Sequence, residues 1–400
     1  MEFRGWIKSY DRPAGKPQTF QLKENHFKMT TIDKHKFNLE TPCLVLDMDV
    51  LERNLLKMQA TIDRAGKNLR PHVKTHKCSA LAKRQIEAGA IGVCVAKVSE
   101  AEMLVKAGLD GILITGPIAT PGKVQRLINL LIASPSLMVV VDHPDSVVLL
   151  DAALRERGLS MDVLLDVDVG LNRTGVRPSE ALSLARQIVS CPTLRLSGIQ
   201  AYAGHIQHIP SYDMRTQASH QCLQDAVHIF RNLQAIVPTC TIFSASGTGT
   251  FDIDPAIPEV SELQVGSYAC MDTEYLDIGS ADDDTRFVSF DPALRLLTTV
   301  VSANHDGFVT VDAGLKALYK DGGMPRVVTP DYVNLAYDWF GDEYGRITST
   351  DNSKLPALGT VLELVTSHCD PTINLFDRYF LTRGDQVTGV WPIDLRGCSQ

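Results

Sequence analysis

The sequence predicts an α/β fold, a (β/α)8 barrel followed by a β-rich domain. Apolar runs rich in β-branched residues alternate with amphipathic segments from about residue 43 to 245. Those segments have the length, about 10–15 residues, of helices that carry the chain back across a parallel sheet. After about residue 285 the helical period disappears, and short strand-like runs punctuated by Asp-Gly, Gly-Gly and Arg-Gly-Asp turns take over. The division expected is an N-terminal extension over 1–38, a barrel over 39–284 and the β-rich domain over 285–400.

In chain order, 43–46 (CLVL) reads as a barrel strand. A helix follows over 49–65, with Leu51, Leu55, Met58 and Ile62 on one face and Gly66 as its stop. Strands are expected at 91–95, 111–115, 137–141, 162–168 and 194–200, and helices end at Gly89 and Gly108. About eight such units over roughly 230 residues suit a closed barrel better than an open sheet. Beyond 285, the runs 296–302, 307–312, 361–366 and 387–391 read as strands of the second domain.

The 400 residues are 44% hydrophobic and 22% charged, ordinary for a globular chain. A net charge of −8 gives no basic footprint for nucleic acid. No stretch approaches the roughly 20 apolar residues that span a bilayer. Nine scattered cysteines, odd in number and without a C-x-x-C pair, read as buried thiols of a reducing, cytoplasmic compartment.

Five segments carry chemistry. Arg70-Pro-His-Val-Lys-Thr-His-Lys77 is expected as a strand with His72, Lys74 and His76 on one face at the barrel mouth. An inward lysine there loses solvation, which lowers its pKa and makes it a Schiff-base candidate; a solvated strand end would carry the same pattern. Ser246-Gly-Thr-Gly-Thr250 and Gln264-Val-Gly-Ser-Tyr268 have the small residues and hydroxyls of phosphate turns, and both fall at late barrel strands. Arg173, in Asp168-Val-Gly-Leu-Asn-Arg-Thr-Gly175, can meet an anionic oxygen or pair with a nearby Asp. His368-Cys-Asp370 puts an imidazole and a carboxylate on one side of an extended segment, a pair suited to Mn²⁺, Mg²⁺ or Zn²⁺ with positions left for substrate; a packed His beside a capping Asp is the structural alternative.

These segments occur in one order together with Gln200-Ala-Tyr-Ala-Gly-His-Ile-Gln-His208, Val311-Asp-Ala-Gly-Leu-Lys-Ala317, His368-Cys-Asp-Pro-Thr-Ile-Asn374, Val390-Trp-Pro392 and Arg396-Gly397. Residues 40–400 thereby resemble the D-threonine aldolase and D-serine dehydratase-like family of fold-type III pyridoxal phosphate enzymes, with an alanine racemase-type barrel. The resemblance implies that Lys74 carries the pyridoxal phosphate covalently. It implies that Thr248, Gly266 and Ser267 hold the phosphate, with Arg173 and Tyr202 beside the ring and Tyr275 near the same site. It assigns a divalent metal to His368 and Asp370, and places His208 near the substrate hydroxyl. A homodimer is implied as well.

The dehydratases of the family resemble His-x-Cys where this chain has His-Cys-Asp, so the resemblance favours an aldolase that splits D-3-hydroxy amino acids into glycine and an aldehyde. A dehydratase giving a keto acid and ammonia is the alternative, and a non-enzymatic pyridoxal phosphate homeostasis protein is another. Two positions depart from the family pattern: Tyr344 replaces a histidine, and His205 replaces a small residue. D-threonine, another D-3-hydroxy amino acid and 3-hydroxy-D-aspartate are therefore all open as substrates, with Arg326 and Lys316 as loose candidates for a second carboxylate.

Overall fold

A computed structural model of the chain describes residues 35–332 and 334–400, so the segment expected as an N-terminal extension lies outside the described residues up to position 34. The chain enters through β1 (Cys43–Asp47) and α1 (Met48–Arg64). Asp47 caps α1 by accepting from the Asp49 and Val50 N–H groups at 3.0 and 3.1 Å. Leu51, Leu55, Met58 and Ile62 are buried, and Gly66 turns the chain with φ +65°.

The barrel is then built from β2 (Asn68–Leu69), α2 (Ser79–Glu87), β3 (Val93–Val95), α3 (Val98–Lys106), β4 (Ile112–Ile114), α4 (Pro121–Ala133), β5 (Met138–Val141) and α5 (Pro144–Arg157). It continues with β6 (Met161–Asp166), α6 (Pro178–Ser190), β7 (Leu194–Ala201), α7 (Tyr212–Ile236), β8 (Ile242–Ala245), β9 (Glu262–Leu263) and α8 (Thr273–Leu276). Prolines open α4, α5 and α6, where a missing N–H costs nothing.

The eight strands β2–β9 are all parallel and adjacent in chain order, and a parallel bridge between His72 and Cys94 joins the two edges, β2 and β3. Alternate strand residues part to two sides. Cys94, Leu113, Met138, Val140 and Leu164 form an inner cluster, while Val93, Val95, Ile112, Ile114 and Val139 pack with the helices. A buried Arg70–Glu262 pair at 3.0 Å fastens β2 to β9.

The second sheet comprises β10 (Leu294–His305), β11 (Phe308–Val311), β12 (Arg326–Val327), β13 (Leu335–Trp339), β14 (Gly345–Ser349), β15 (Val361–Val365), β16 (Arg378–Arg383) and β17 (Gln386–Pro392), with α9 (Cys369–Ile373) between β15 and β16. The order β11-β14-β13-β12-β15-β10 closes through a β10–β11 pairing into an antiparallel barrel. The run 43–46 does not enter the first barrel as expected: β1 pairs antiparallel with β10 and parallel with β16 in this second sheet. Its alternation explains the error. Leu44 and Leu46 join the main core while Cys43 and Val45 pack with Leu297, so it is buried on both faces like a barrel strand.

Candidate active site

Lys74 sits at the C-terminal end of the barrel, though not on a strand. After the His72 bridge the chain folds into a tight turn over 73–76, so His72, Lys74 and His76 do not share a strand face as expected. His72 Nε2 is 3.0 Å from Thr115 Oγ1, and His76 Nε2 is 3.2 Å from Gln85 Oε1. Burial keeps His72 well below its ordinary pKa and His76 down at about 4, so both are neutral packing groups. Lys74 and His72 both line the cavity, whereas His76 is fully buried outside its lining.

Its pKa runs against the sequence expectation as well. Burial pulls it down, but Asp370 and Tyr202 outweigh that and hold it above the usual lysine value. Asp370 Oδ2 is 3.6 Å from Lys74 Nζ. An isolated inward lysine would be a neutral amine; this one faces a carboxylate that the linear sequence puts almost 300 positions away.

One cavity of about 410 Å³ is lined by Lys74, Arg173, Tyr202, Thr248, Gly266, Ser267 and Tyr275. The two turns read as phosphate sites meet there: the Tyr268 N–H donates to Thr248 Oγ1 at 3.1 Å. Space is tight. A Cβ on Gly266 would lie 2.5 Å from Thr75 Oγ1, and one on Gly249 would run into the Gln207 carbonyl. On the opposite wall, the loop before α6 is drawn in by Asp168, which accepts from the Gly170 and Asn172 N–H groups at 3.0 Å each. Arg173 is thereby set over the Tyr202 ring, 5.7 Å from its centroid.

The remaining candidates flank this cavity. His208 is 3.4 Å from a Glu274 oxygen through Nδ1, and its ring centroid is 4.4 Å from that of Tyr275. Its Nε2 is buried without a hydrogen-bond partner, and burial together with the nearby His368 brings its pKa down to about 4. His368, its backbone extended, takes the N-cap position of α9 without a side-chain capping bond, and Asp370 already falls in the first turn of that helix. Their side chains consequently have different neighbours: His368 Nδ1 is 3.2 Å from Asp321 and 3.8 Å from Glu274, whereas Asp370 meets Lys74. Burial would lower the His368 pKa, but Asp370, Asp272 and Glu274 raise it above the ordinary value. Among the described residues, no group of three or more His, Cys, Asp or Glu side chains is placed to enclose a metal ion.

The alanine racemase N-terminal domain model matches residues 46–274, and a serine dehydratase domain model matches residues 293–382. The chain belongs to the D-threonine aldolase and D-serine dehydratase-like family. It is 36% identical over 363 residues to a D-threonine aldolase of an Arthrobacter species, covering 90% of this chain and 94% of that protein. It is 35% identical over 399 residues to a 3-hydroxy-D-aspartate aldolase of Paracoccus denitrificans, covering 99% and 98%. A D-threo-3-hydroxyaspartate dehydratase of a Delftia species is 28% identical over 384 residues, covering 88% and 97%. The crystal structure of D-threonine aldolase from Filomicrobium marinum superposes with a TM-score of 0.86 at 35% identity, covering 91% of this chain and 98% of that one. Aldolases and dehydratases of this family are both lyases, and the chain is a lyase.

The family implies pyridoxal phosphate, and the cavity fits it: an amine at one end, two glycine-containing turns at the other. Gly249→Ala tests that fit. Overpacking of this kind costs about 1–3 kcal/mol, so the cofactor dissociation constant should rise roughly tenfold or more. A fluorescence titration of the apoprotein measures it.

Several residues of this family member's site were not singled out from sequence. Gln264 Nε2 donates to Gln200 Oε1 and Ser244 Oγ at 3.0 and 2.8 Å, and Gln200 Nε2 donates to Asp166 at 2.8 Å. Burial raises the Asp166 carboxyl to about 6. A signal existed, since Asp166 and Gln200 are polar residues at the ends of otherwise apolar runs. Lys97 and Lys123 also line the cavity from a loop and from α4, and no local pattern marks them. Arg326 and Lys316 do not: they pair with Asp277 and Glu343 at 2.5 and 2.6 Å, outside the lining. Tyr344 and His205 are exposed and also lie outside it. No described helix is long and apolar enough to cross a membrane.

Proposed function

We propose that the chain is a pyridoxal phosphate- and divalent-metal-dependent aldolase that cleaves D-3-hydroxy amino acids to glycine and an aldehyde. The observation that carries this reading is the 3.6 Å approach of Asp370 to Lys74, which puts the proposed metal carboxylate beside the proposed cofactor amine. His368, Asp370 and water would hold Mn²⁺, Mg²⁺ or Zn²⁺, and the carboxylates of Asp272, Glu274 and Asp321 around His368 favour a cation there. When bound, pyridoxal phosphate supplies an electron sink at Cα and the divalent ion supplies a Lewis acid for the β-oxygen.

The chain's own residues do the rest. Thr248, Gly266 and Ser267 anchor the phosphate end, Arg173 and Tyr202 bracket the ring, and Tyr275 holds His208 in place. His208, neutral and with a free Nε2 lone pair, accepts the proton of the substrate's β-hydroxyl. Lys97 and Lys123 in the cavity wall suit a substrate with a second carboxylate, such as 3-hydroxy-D-aspartate. Exposed Tyr319, Met324, Phe340 and Tyr344 on and around the second sheet support a homodimer, and nine free thiols support a cytoplasmic setting.

Product analysis decides the reaction. D-threonine, D-serine and 3-hydroxy-D-aspartate are incubated with the enzyme, with and without added Mn²⁺ or a chelator. Glycine and aldehyde should form in equal amounts, and the chelator should abolish both. Ammonia with a keto acid would make the enzyme a dehydratase. Cofactor binding without turnover of any of these would favour a homeostasis protein.

A further inference from the structure

Two consecutive residues grip His208 from different sides. Tyr275 lies against its ring, and Glu274 Oε1 lies 3.4 Å from Nδ1. The second oxygen of that carboxylate is 3.8 Å from His368 Nδ1, but Asp321 is closer to the same atom at 3.2 Å. Asp321 therefore serves His368, and Glu274 is left for His208. The carboxylate is held firmly. The Glu274 N–H donates to the Ser367 carbonyl, Asp272 caps α8 by accepting from the Tyr275 N–H at 3.2 Å, and the same Asp272 accepts from the Cys369 N–H at 2.8 Å. Gly322 closes over it, since a Cβ there would lie 3.1 Å from Glu274 Cδ. Only 24% of the Glu274 side chain is exposed.

A neutral imidazole carries one N–H, and a carboxylate beside Nδ1 draws the proton to that nitrogen. The lone pair is then on Nε2, the buried atom without a partner. We propose that Glu274 is a positioning residue that fixes the tautomer and orientation of His208, so that Nε2 takes the β-hydroxyl proton, and that it stabilises the imidazolium so formed. This rests on the aldolase reading above. The proton passes from oxygen to Nε2, and the O–H pair stays on oxygen to become the second C=O bond as Cα–Cβ breaks. The pair from that bond goes to Cα, which takes up a proton to become glycine, and His208 releases its proton to solvent. The 3.4 Å separation is of the kind that tightens once substrate is bound.

The test compares Glu274→Gln and Glu274→Asp with the wild-type holoenzyme in added Mn²⁺, on whichever D-3-hydroxy amino acid the wild type cleaves. By analogy with carboxylates that orient a histidine base, Glu274→Gln should lower kcat roughly 10²–10³-fold. KM and the Mn²⁺ concentration for half-activation should each stay within about threefold. Exchange of the glycine α-proton in D₂O needs no hydroxyl base, and should also fall by less than about threefold. Glu274→Asp should recover at least about tenfold of the lost kcat. The proposal is overturned if Glu274→Gln cleaves at the wild-type rate, if glycine exchange falls in step with cleavage, or if the Mn²⁺ requirement rises, which would make Glu274 a metal ligand. A wild type that releases no glycine from any such substrate would instead sink the aldolase reading, and this inference with it.

Discussion

Lys74→Ala should abolish cleavage, lowering kcat by more than about a thousandfold, and should remove the visible absorption band of a lysine-bound cofactor. The reason is positional. Lys74 is the amine that meets Asp370, at 3.6 Å, and it lies between the phosphate turns and the Tyr202 wall. Lys97 and Lys123 share the cavity but are carried by a different loop and helix, so neither can occupy the same point. The alanine variant also leaves the largely buried carboxylate of Asp370 without its cation. Lys74→Arg separates the two effects, because arginine keeps the charge beside Asp370 yet forms no imine at neutral pH. It should be as inactive as the alanine variant while melting close to the wild type. A band that persists in either variant would mean that the cofactor is held elsewhere.

What the sequence makes legible follows from how local each signal is. The parallel barrel reads well because its information is local: β-branched runs, amphipathic helices, and glycines at several helix ends, such as Gly66, Gly89 and Gly108. The placement of β1 does not, because a strand buried on both faces looks the same in either sheet, and only its partners Leu297 and Phe380 decide. Strands β12, β13, β14 and β16 were likewise invisible, since they are short, mixed in polarity and stabilised by neighbours distant in the chain. The seven candidates for the cofactor converge on one cavity because six lie beyond the C-terminal ends of barrel strands or at those ends, and the seventh, Tyr275, lies in α8 after β9. What could not be read was the electrostatics. Local sequence suggested a depressed Lys74 pKa, and the sign reversed because α9 brings Asp370 across from the other sheet. The geometry of His368 and Asp370 failed for a related reason. An extended H-x-D segment puts the two side chains on one side, but a short helix begins at Cys369 and turns Asp370 toward Lys74.

Arg215→Met should cost about 3–5 kcal/mol of stability and weaken cofactor binding at the same time. Arg215 is fully buried near the start of α7, and its three nitrogens donate to the carbonyls of Gly249, Ile209 and Gly279 at 2.7, 2.5 and 2.5 Å. Burial lowers its pKa, with Asp252 acting against that, so the side chain is a desolvated cation stabilised chiefly by backbone dipoles. Methionine fills similar volume but leaves those carbonyls unsatisfied, each a loss of roughly 1–3 kcal/mol before the site relaxes. For a chain of this length the melting temperature should fall by roughly 5 °C. The functional consequence runs through Gly249. Its carbonyl is held by Arg215 and its N–H donates to Gln207 Oε1 at 3.0 Å, so the turn that presents Thr248 to the cavity is pinned through both backbone polar groups of one residue. Ile209 and Gly279 extend the same clamp to the segments after His208 and α8. Loss of the guanidinium should therefore raise the cofactor dissociation constant about tenfold, beyond what global destabilisation alone produces. Arg215→Lys separates charge from geometry: an ammonium keeps the cation but cannot reach three divergent carbonyls at once, so it should recover part of the melting temperature and little of the cofactor affinity. Equal recovery of both by lysine would show that the charge, and not the three-way clamp, holds the phosphate turn in place.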